Sequence, residues 1–301
     1  MQQLLAKRDI MFPVYERNVQ SVYDPHLKNK VNAPDVKMLT RTDTLGLDDY
    51  ISIVNKDYRV VENAEVLIPL QQQMINFFDP IVLEDVQIKD TILKNGRTCY
   101  SEYIFPRIKH GIETDTGHKT EFGLRFVMKN SFDGKGSVVM WSGLIDFFCT
   151  NGTVTGKYDV TRKRHTRNFH TSGFLDAFEK TLEEHSNIVD QYQRLADRKL
   201  STFDRAFKVN ALFKRLTKSP EKTRRNNTLA NKLNRQFEIE RLTRGDNMFA
   251  VLSTLTHYAS HTTGDFSLTR SGDSGTLYKR QEKVTNWLNS DTWKDFVAEA
   301  A

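Results

Sequence analysis

Six basic or imidazole side chains crowd one stretch of this sequence, CTNGTVTGKYDVTRKRHTRNF, from Cys149 to Phe169: Lys157, Arg162, Lys163, Arg164, His165 and Arg167. Ammonium and guanidinium groups at this density suit phosphate oxygens, and arginine meets them with a planar fork. Tyr158 and Phe169 flank the cluster, and rings so placed stack on the bases of a single strand. The same residues also describe a solvated basic turn between a strand and a helix, with Tyr158 and Phe169 as packing groups. A second set, Lys214, Arg215, Lys218, Lys222, Arg224 and Arg225, reads as a phosphate-contacting arm or as a solvated loop.

Other chemistry is thinner. His257 and His261 lie four apart on an expected helix and could chelate a metal from one face, but no Cys or acidic partner follows in sequence. Surface or helix-capping roles suit them better. A histidine nucleophile or general base among His165, His170 and His185 is one reading, since imidazole chemistry suits that role, but nothing fixes a partner for it. Cys149 sits on the apolar face of an expected strand and reads as a small buried hydrophobe. The chain has no GxxxxGK[ST] loop, no GxGxxG after a strand, no HExxH and no CxxC pair. No NTPase, nicotinamide enzyme or zinc protease is expected, and no catalytic residue, cofactor or metal is assigned.

Charge is unevenly spread. Lys157 to Arg244 holds 21 Lys and Arg against 11 Asp and Glu, a net of +10 in a chain whose total is +6. A basic segment on a slightly acidic remainder suits a polyanion, because bound cations displace counterions from phosphate. The 301 residues, 38% hydrophobic and 27% charged, read as folded and soluble. No apolar run approaches the roughly 20 residues of a membrane span, so no membrane partner is expected. MQQLLAKRDIMF lacks the form of a secretory signal, and two cysteines, Cys99 and Cys149, suit a reducing cytoplasm.

These side chains need elements to hold them. Residues 1–49, broken by Pro13, Pro25 and Pro34, read as an irregular N-terminal arm with short elements. Residues 50–170 read as an antiparallel sheet core with one helix. In it Tyr58 to Val61 forms a short strand and Asn63 caps a helix carrying Val66, Leu67, Leu70, Met74, Phe77 and Phe78. From Arg97 to Gly156 alternation predicts a meander. Phe122, Leu124, Phe126 and Met128 share one face, Val139, Trp141, Ile145, Phe147 and Cys149 another, with a hairpin at SFDGKG. Residues 171–301 read as helices packing on that sheet. Phe174, Phe178, Leu182, Ile188 or Val189, Tyr192 and Leu195 form one stripe. A basic loop spans Ser219 to Thr228, Gly245 ends the next helix, and Asp246 or Asn247 caps another. Sheet first and helices later gives α+β: an antiparallel β-meander in the first half followed by a mainly helical second half.

Three stretches together resemble the phage/plasmid-like protein family that carries the domain of unknown function numbered 932. They are SFDGKGSVVMWSGLIDFFCTNGT, RKRHTRNF with Arg164-His165-Thr166, and LTHYASH followed by KRQEKVTNWLNSDTW. The chain departs from the family's pattern at Gly152, where a larger residue is usual. The resemblance implies a phage or plasmid origin and a bacterial host cytoplasm, and assigns no activity. The leading expectation is a phage-encoded, non-catalytic nucleic-acid-binding protein that binds or anneals single-stranded DNA. A meander, a long helix and basic residues at the join are also similar to the layout of ring-forming single-strand annealing proteins, which brings in homo-oligomers. The alternative is a phage protein that takes over or inhibits a host protein. An enzyme acting on nucleic acid is the third reading.

Overall fold

Period-two alternation and turn chemistry place the strands between Thr98 and Asp146, and apolar stripes place the longer helices. The structure, a computed structural model, describes residues 4, 6–24, 26, 28–42, 46, 48–146, 161–218, 223–261, 264–266 and 274–299. The chain divides into two units, each assembled from three separate segments. Unit 1 comprises Met1–Pro106, Phe126–Ser142 and Asp159–Lys180. Unit 2 comprises Arg107–Arg125, Gly143–Tyr158 and Thr181–Ala301.

Unit 1 begins with more order than an irregular arm. Strands β1 (Tyr15–Asn18), β4 (Val36–Thr42) and β5 (Asp48–Asn55) form an antiparallel sheet in the order β1-β4-β5. Strands β2 (Ser21–Asp24) and β3 (Asn29–Asn32) form a separate hairpin. Pro13 and Pro34 lie outside these strands and punctuate them. Leu39, Ile51 and Val54 supply the buried face of the sheet. Tyr58 to Val61, expected as a strand, is extended coil held by side chains. The Tyr58 hydroxyl donates to the Ser131 carbonyl at 3.1 Å, and Asn130 Nδ2 donates to the Val61 carbonyl at 2.8 Å.

Helix α1 (Asn63–Phe77) buries Val66, Leu67, Leu70 and Met74, as its spacing predicts, while Phe77 stays half exposed. Asn63 does not cap it. Glu62 holds that position without a side-chain bond, and Asn63 is buried, donating to the Ile10 carbonyl at 2.8 Å and accepting from Asn130 at 3.0 Å. A buried amide satisfied by non-local groups has left the capping role. A short helix, α2 (Pro80–Glu84), follows, capped by Asp79.

The expected meander forms β7 (Thr98–Glu113), β8 (Lys119–Ser131) and β9 (Val138–Asp146), and β6 (Gln87–Leu93) and β10 (Thr161–Lys163), outside the expected stretch, extend it to a five-stranded sheet in the order β10-β9-β8-β7-β6. The connections from β7 to β8 and from β8 to β9 are far too short for a parallel crossover, so these pairs are antiparallel. At the β8–β9 turn Asp133 accepts from the amides of Lys135 (2.9 Å) and Gly136 (2.6 Å), and Gly134 takes φ +73°. The strands are not one-faced. From Phe122 to Met128 both faces of β8 are buried, Arg125 included, and the same holds for β9 from Val138 to Leu144. The single-face patterns therefore account for only half of each strand's packing. Residues from Phe147 onward, including Cys149 and the Asn151-Gly152 turn, lie outside the described residues.

Helix α3 (Ser172–Asp197) contributes to both units. In unit 1 its Phe178 joins Phe78, Phe105 and Phe126, with ring centroids from 4.6 to 6.1 Å apart. In unit 2 its Ile188, Val189 and Tyr192 join the helical core. After a π-helical segment (Asp204–Val209), that unit holds α4 (Asn210–Thr217), α5 (Thr223–Arg244), α6 (Met248–Ser260), α7 (Ser274–Leu288) and α8 (Asp291–Glu299). Helix α6 is the centre: Met248 to Thr256, Tyr258 and Ala259 are all buried, the pattern of a helix enclosed on every side. Gly245 ends α5 with φ +89°, its amide donating to the Arg241 carbonyl at 2.9 Å, and Asn247 caps α6 through the Ala250 amide at 3.0 Å. Both junctions follow the sequence reading.

Candidate functional site

Within unit 1, part of the first basic cluster is built on a sheet edge. Strand β10 pairs with β9 on one side, Arg162 opposite Val139 and Lys163 opposite Val138. No other strand among the described residues pairs with it. Arg162, Lys163 and Arg164 are exposed. Lys163 reaches over the start of α3: a β-carbon at Gly173 would lie 3.0 Å from Lys163 Cε and 3.2 Å from Nζ. An ammonium beside the first amides of a helix adds to their positive potential, a combination that an anion relieves. Arg167 is also exposed and meets Asp57 at 3.3 Å, an ion pair 84% exposed on both sides and therefore weak.

Two members expected at this surface face inward. His165 is 6% exposed, its ring stacked on Tyr58 at 4.8 Å with an edge contact to Phe132 at 6.1 Å. Phe169 is 4% exposed, packed on Phe174 and covered by the Arg59 guanidinium, which also donates to the Phe169 carbonyl at 2.9 Å. Neither can touch a strand without leaving the core, so the nucleic-acid role expected of His165 and the stacking role of Phe169 give way to packing. Both face inward because Arg59, beyond the cluster in sequence, ties down the turn: its amide also donates to the His165 carbonyl at 3.4 Å.

Burial drives the His165 imidazole pKa down to about 4 from 6.5, and the nearby Arg59 charge acts in the same direction. The Arg59 backbone and then the Asp133 carboxylate oppose this without overcoming it. Above pH 6.5 neither the folded nor the unfolded form carries this proton. Below it the unfolded chain takes up a proton that the fold refuses, so stability falls as pH falls toward 4. The loss from this group is about 2–3 kcal/mol between pH 7 and pH 4.5. Urea unfolding across that window should show it, and His165→Phe, which keeps a ring on Tyr58, should flatten the profile. An identical slope in the variant would remove His165 as the cause.

The remaining expected residues are dispersed. Lys157, Tyr158 and Lys222 lie outside the described residues. Lys214 and Arg215 occupy the last turn of α4 in unit 2, and Lys218 follows it, all three exposed. Cations there complement the helix dipole. Arg215 also lines a cavity of ≈ 110 Å³ with Lys208, Thr292 and Phe296. Arg224 and Arg225 sit in the first turn of α5, not in a loop, because the helix starts at Thr223. The described members of the first set, Arg162 to Arg167, thus lie in unit 1, and those of the second in unit 2.

His257 and His261 stack ring on ring at 3.9 Å in unit 2, and His257 Nδ1 lies 3.3 Å from Glu240. Among the described residues no group of three His, Cys, Asp or Glu side chains is arranged to hold a metal ion. Burial alone would raise the Glu240 pKa. The hydrogen bond from His257 and the Arg244 charge outweigh it and hold the carboxyl below its ordinary range. Cys99 is buried and its thiol is pushed up to about 12, which makes it a packing group, not a nucleophile.

One polar cluster in unit 1 has no local signal in the sequence. Arg8 Nη1 donates to Asp90 at 2.8 Å and to Ser101 at 3.1 Å, and Nη2 donates to the Tyr103 hydroxyl at 2.6 Å. Gln71 Nε2 donates to the same hydroxyl at 3.2 Å. Burial pushes Asp90 up, against the Arg8 charge and the Ser101 hydrogen bond. The partners are 82 to 95 residues from Arg8 in sequence, so only folding brings them together.

No helix among the described residues is long and apolar enough to cross a membrane. No curated protein and no solved structure matches the chain. A family model, described as Domain of unknown function (DUF932), matches residues 50–288, from strand β5 to the end of α7. With most of its length so matched, and with the α+β order of elements described above, the chain belongs to the DUF932 family.

Proposed function

We propose that the protein binds nucleic acid, with single-stranded DNA as the favoured ligand, through Arg162, Lys163, Arg164 and Arg167 without catalysing a reaction on it. The observation that carries this reading is the exposed run of Arg162 and Lys163 on edge strand β10 with Arg164 just after it, beside the start of α3. Exposed cations at an open edge can follow a flexible phosphate backbone, and extended strands present them at regular spacing. Lys214, Arg215 and Lys218 form a second basic surface in unit 2. In a phage- or plasmid-encoded setting inside a bacterial cytoplasm, which the sequence resemblance implies, this activity would serve DNA metabolism. Annealing by a homo-oligomer is its most specific form.

Fluorescence anisotropy with labelled single-stranded and duplex DNA across a salt series tests the reading. Binding should be tighter to the single strand and should weaken steeply with salt, in proportion to the phosphates contacted. No binding at low salt would end it.

A protein partner is the second reading, favoured by Phe203, Phe207, Ile239 and Leu242 of unit 2, which are between 58% and 81% exposed. Such side chains at a surface suit an interface. A partner recovered from nuclease-treated host lysate and lost with Phe203→Ser and Phe207→Ser would support it. Recovery only while nucleic acid is intact would return the weight to the first reading.

A further inference from the structure

We propose that unit 1 carries a second ligand site, separate from the β10 cluster, that takes a small phosphorylated molecule with an apolar or aromatic body, of mononucleotide size. The site is an open cavity of ≈ 540 Å³ between the segment from Lys7 to Pro13, Arg41 of β4 and Ile92 of β6. That volume falls in the range of small-molecule sites, and is far larger than a lone phosphate needs.

The lining has two halves. Met11, Phe12, Pro13 and Ile92 give an apolar wall, and Lys7, Arg8 and Arg41 supply donors. Donors exceed acceptors here. Arg8 places both terminal nitrogens on Asp90, Ser101 and Tyr103, but its Nε is buried without a partner among the described residues. Arg41 is used less. It makes one long contact, 3.5 Å to Asp49, and rests on the Phe12 ring at 5.0 Å, while its Nε is also buried and unpartnered among the described residues. Lys7 is exposed at the rim. Asp9, Asp49 and Asp90 match the formal charges of Lys7, Arg8 and Arg41 one for one, so the excess is in hydrogen-bond donors and not in net charge. Buried donors with no acceptor are costly. A phosphate group supplies several acceptor oxygens in the geometry that a guanidinium fork matches.

The backbone is shaped to close the apolar wall. Gly96, in the β6–β7 turn with φ +91°, has no side chain where a β-carbon would lie 2.7 Å from Phe12 Cζ and 3.3 Å from Arg41 Cδ. Only glycine lets Phe12 and Arg41 settle against this turn. Phe12 also contacts Phe132 at 6.2 Å. The Arg8 network ties the lining segment from Lys7 to Met11 to Asp90, Ser101 and Tyr103, while Arg41 retains donor capacity.

Isothermal titration of the full chain with adenosine 5′-monophosphate, inorganic phosphate and adenosine tests the assignment. The monophosphate should bind saturably, inorganic phosphate more weakly, and adenosine not measurably. Arg41→Gln and the exposed Lys7→Gln should each weaken the monophosphate by about tenfold, the size of one charge-assisted hydrogen bond. Alanine at Arg162, Lys163 and Arg164 should leave it unchanged, which separates this site from the nucleic-acid surface. Absence of saturable monophosphate binding would overturn the proposal. So would undiminished affinity in folded Lys7→Gln and Arg41→Gln, or equal loss in the β10 variant.

Discussion

Alanine at Arg162, Lys163 and Arg164 together should lower single-stranded DNA affinity by about a hundredfold near 0.1 M salt, and should cut the salt slope by about two units. Each phosphate neutralised on a single strand contributes about 0.7 to that slope, so three cations contribute about two. The electrostatic part fades toward 1 M salt, and a tenfold lower concentration then corresponds to about two decades of affinity. Fold should survive, because all three side chains are exposed and β10 pairs with β9 through backbone groups. Circular dichroism checks that point beside the anisotropy titration. Replacing the two arginines by lysine should retain most of the slope, since charge is kept. A folded triple variant with unaltered slope and affinity would move binding elsewhere. Charges on an edge strand also deter edge-to-edge pairing. If that is their whole role, the alanine variant would associate with itself at higher concentration and bind DNA as before.

The largest stability effect should come from Arg244. It is fully buried at the end of α5, its Nε 3.0 Å from Glu240, its Nη1 2.9 Å from the Thr120 hydroxyl, and its guanidinium 5.1 Å from the Phe249 ring centroid. Glu240 also accepts from Gln236 at 2.9 Å. Arg244→Met should cost about 3–5 kcal/mol in urea unfolding, because it leaves a carboxylate buried beside an apolar chain. Gln236 and His257 would still hold Glu240, but neither brings a permanent charge. Adding Glu240→Leu to Arg244→Met should recover much of the loss, since the charge left unpaired is then removed. A single variant close to wild type in stability would show that this pair is not a structural keystone of unit 2.

Local patterns foretold what depends on neighbours in the chain. Gly245 and Asn247 act within one helix turn, the Asp133-Gly134 turn closes on itself, and the stripe from Phe174 to Tyr192 repeats at helical spacing. The exposed cations of β10 were legible for the same reason, since exposed charge needs no partner to be placed. What sequence could not supply were pairings at long range. Strands β1 to β3 have four residues each, too few for a period to register, and β1 gains its partner only from β4. His165 reads like its basic neighbours, yet its burial follows from Tyr58 and Arg59, more than a hundred residues earlier. Arg8 and Phe12, which flank one short helical turn, meet Arg41 of β4 and Ile92 of β6 at one cavity, and no spacing rule links the turn to those strands.

The interleaving of the two units has a consequence for how the chain is made. No single truncation isolates either one, because each needs segments that lie inside the other in sequence. All of unit 1 has left the ribosome once Lys180 emerges. By then Phe122 and Leu144 are also out, but their partners are not: Phe122 packs on Tyr192 at 5.2 Å and on Phe249 at 6.0 Å. Those apolar side chains wait, not fully covered, until the chain from Lys180 to Phe249 has been made. A ribosome stalled between Lys180 and Phe249 would thus present a finished unit 1 bearing strand ends that invite chaperones, while release of the helical segment lets the second core condense around α6.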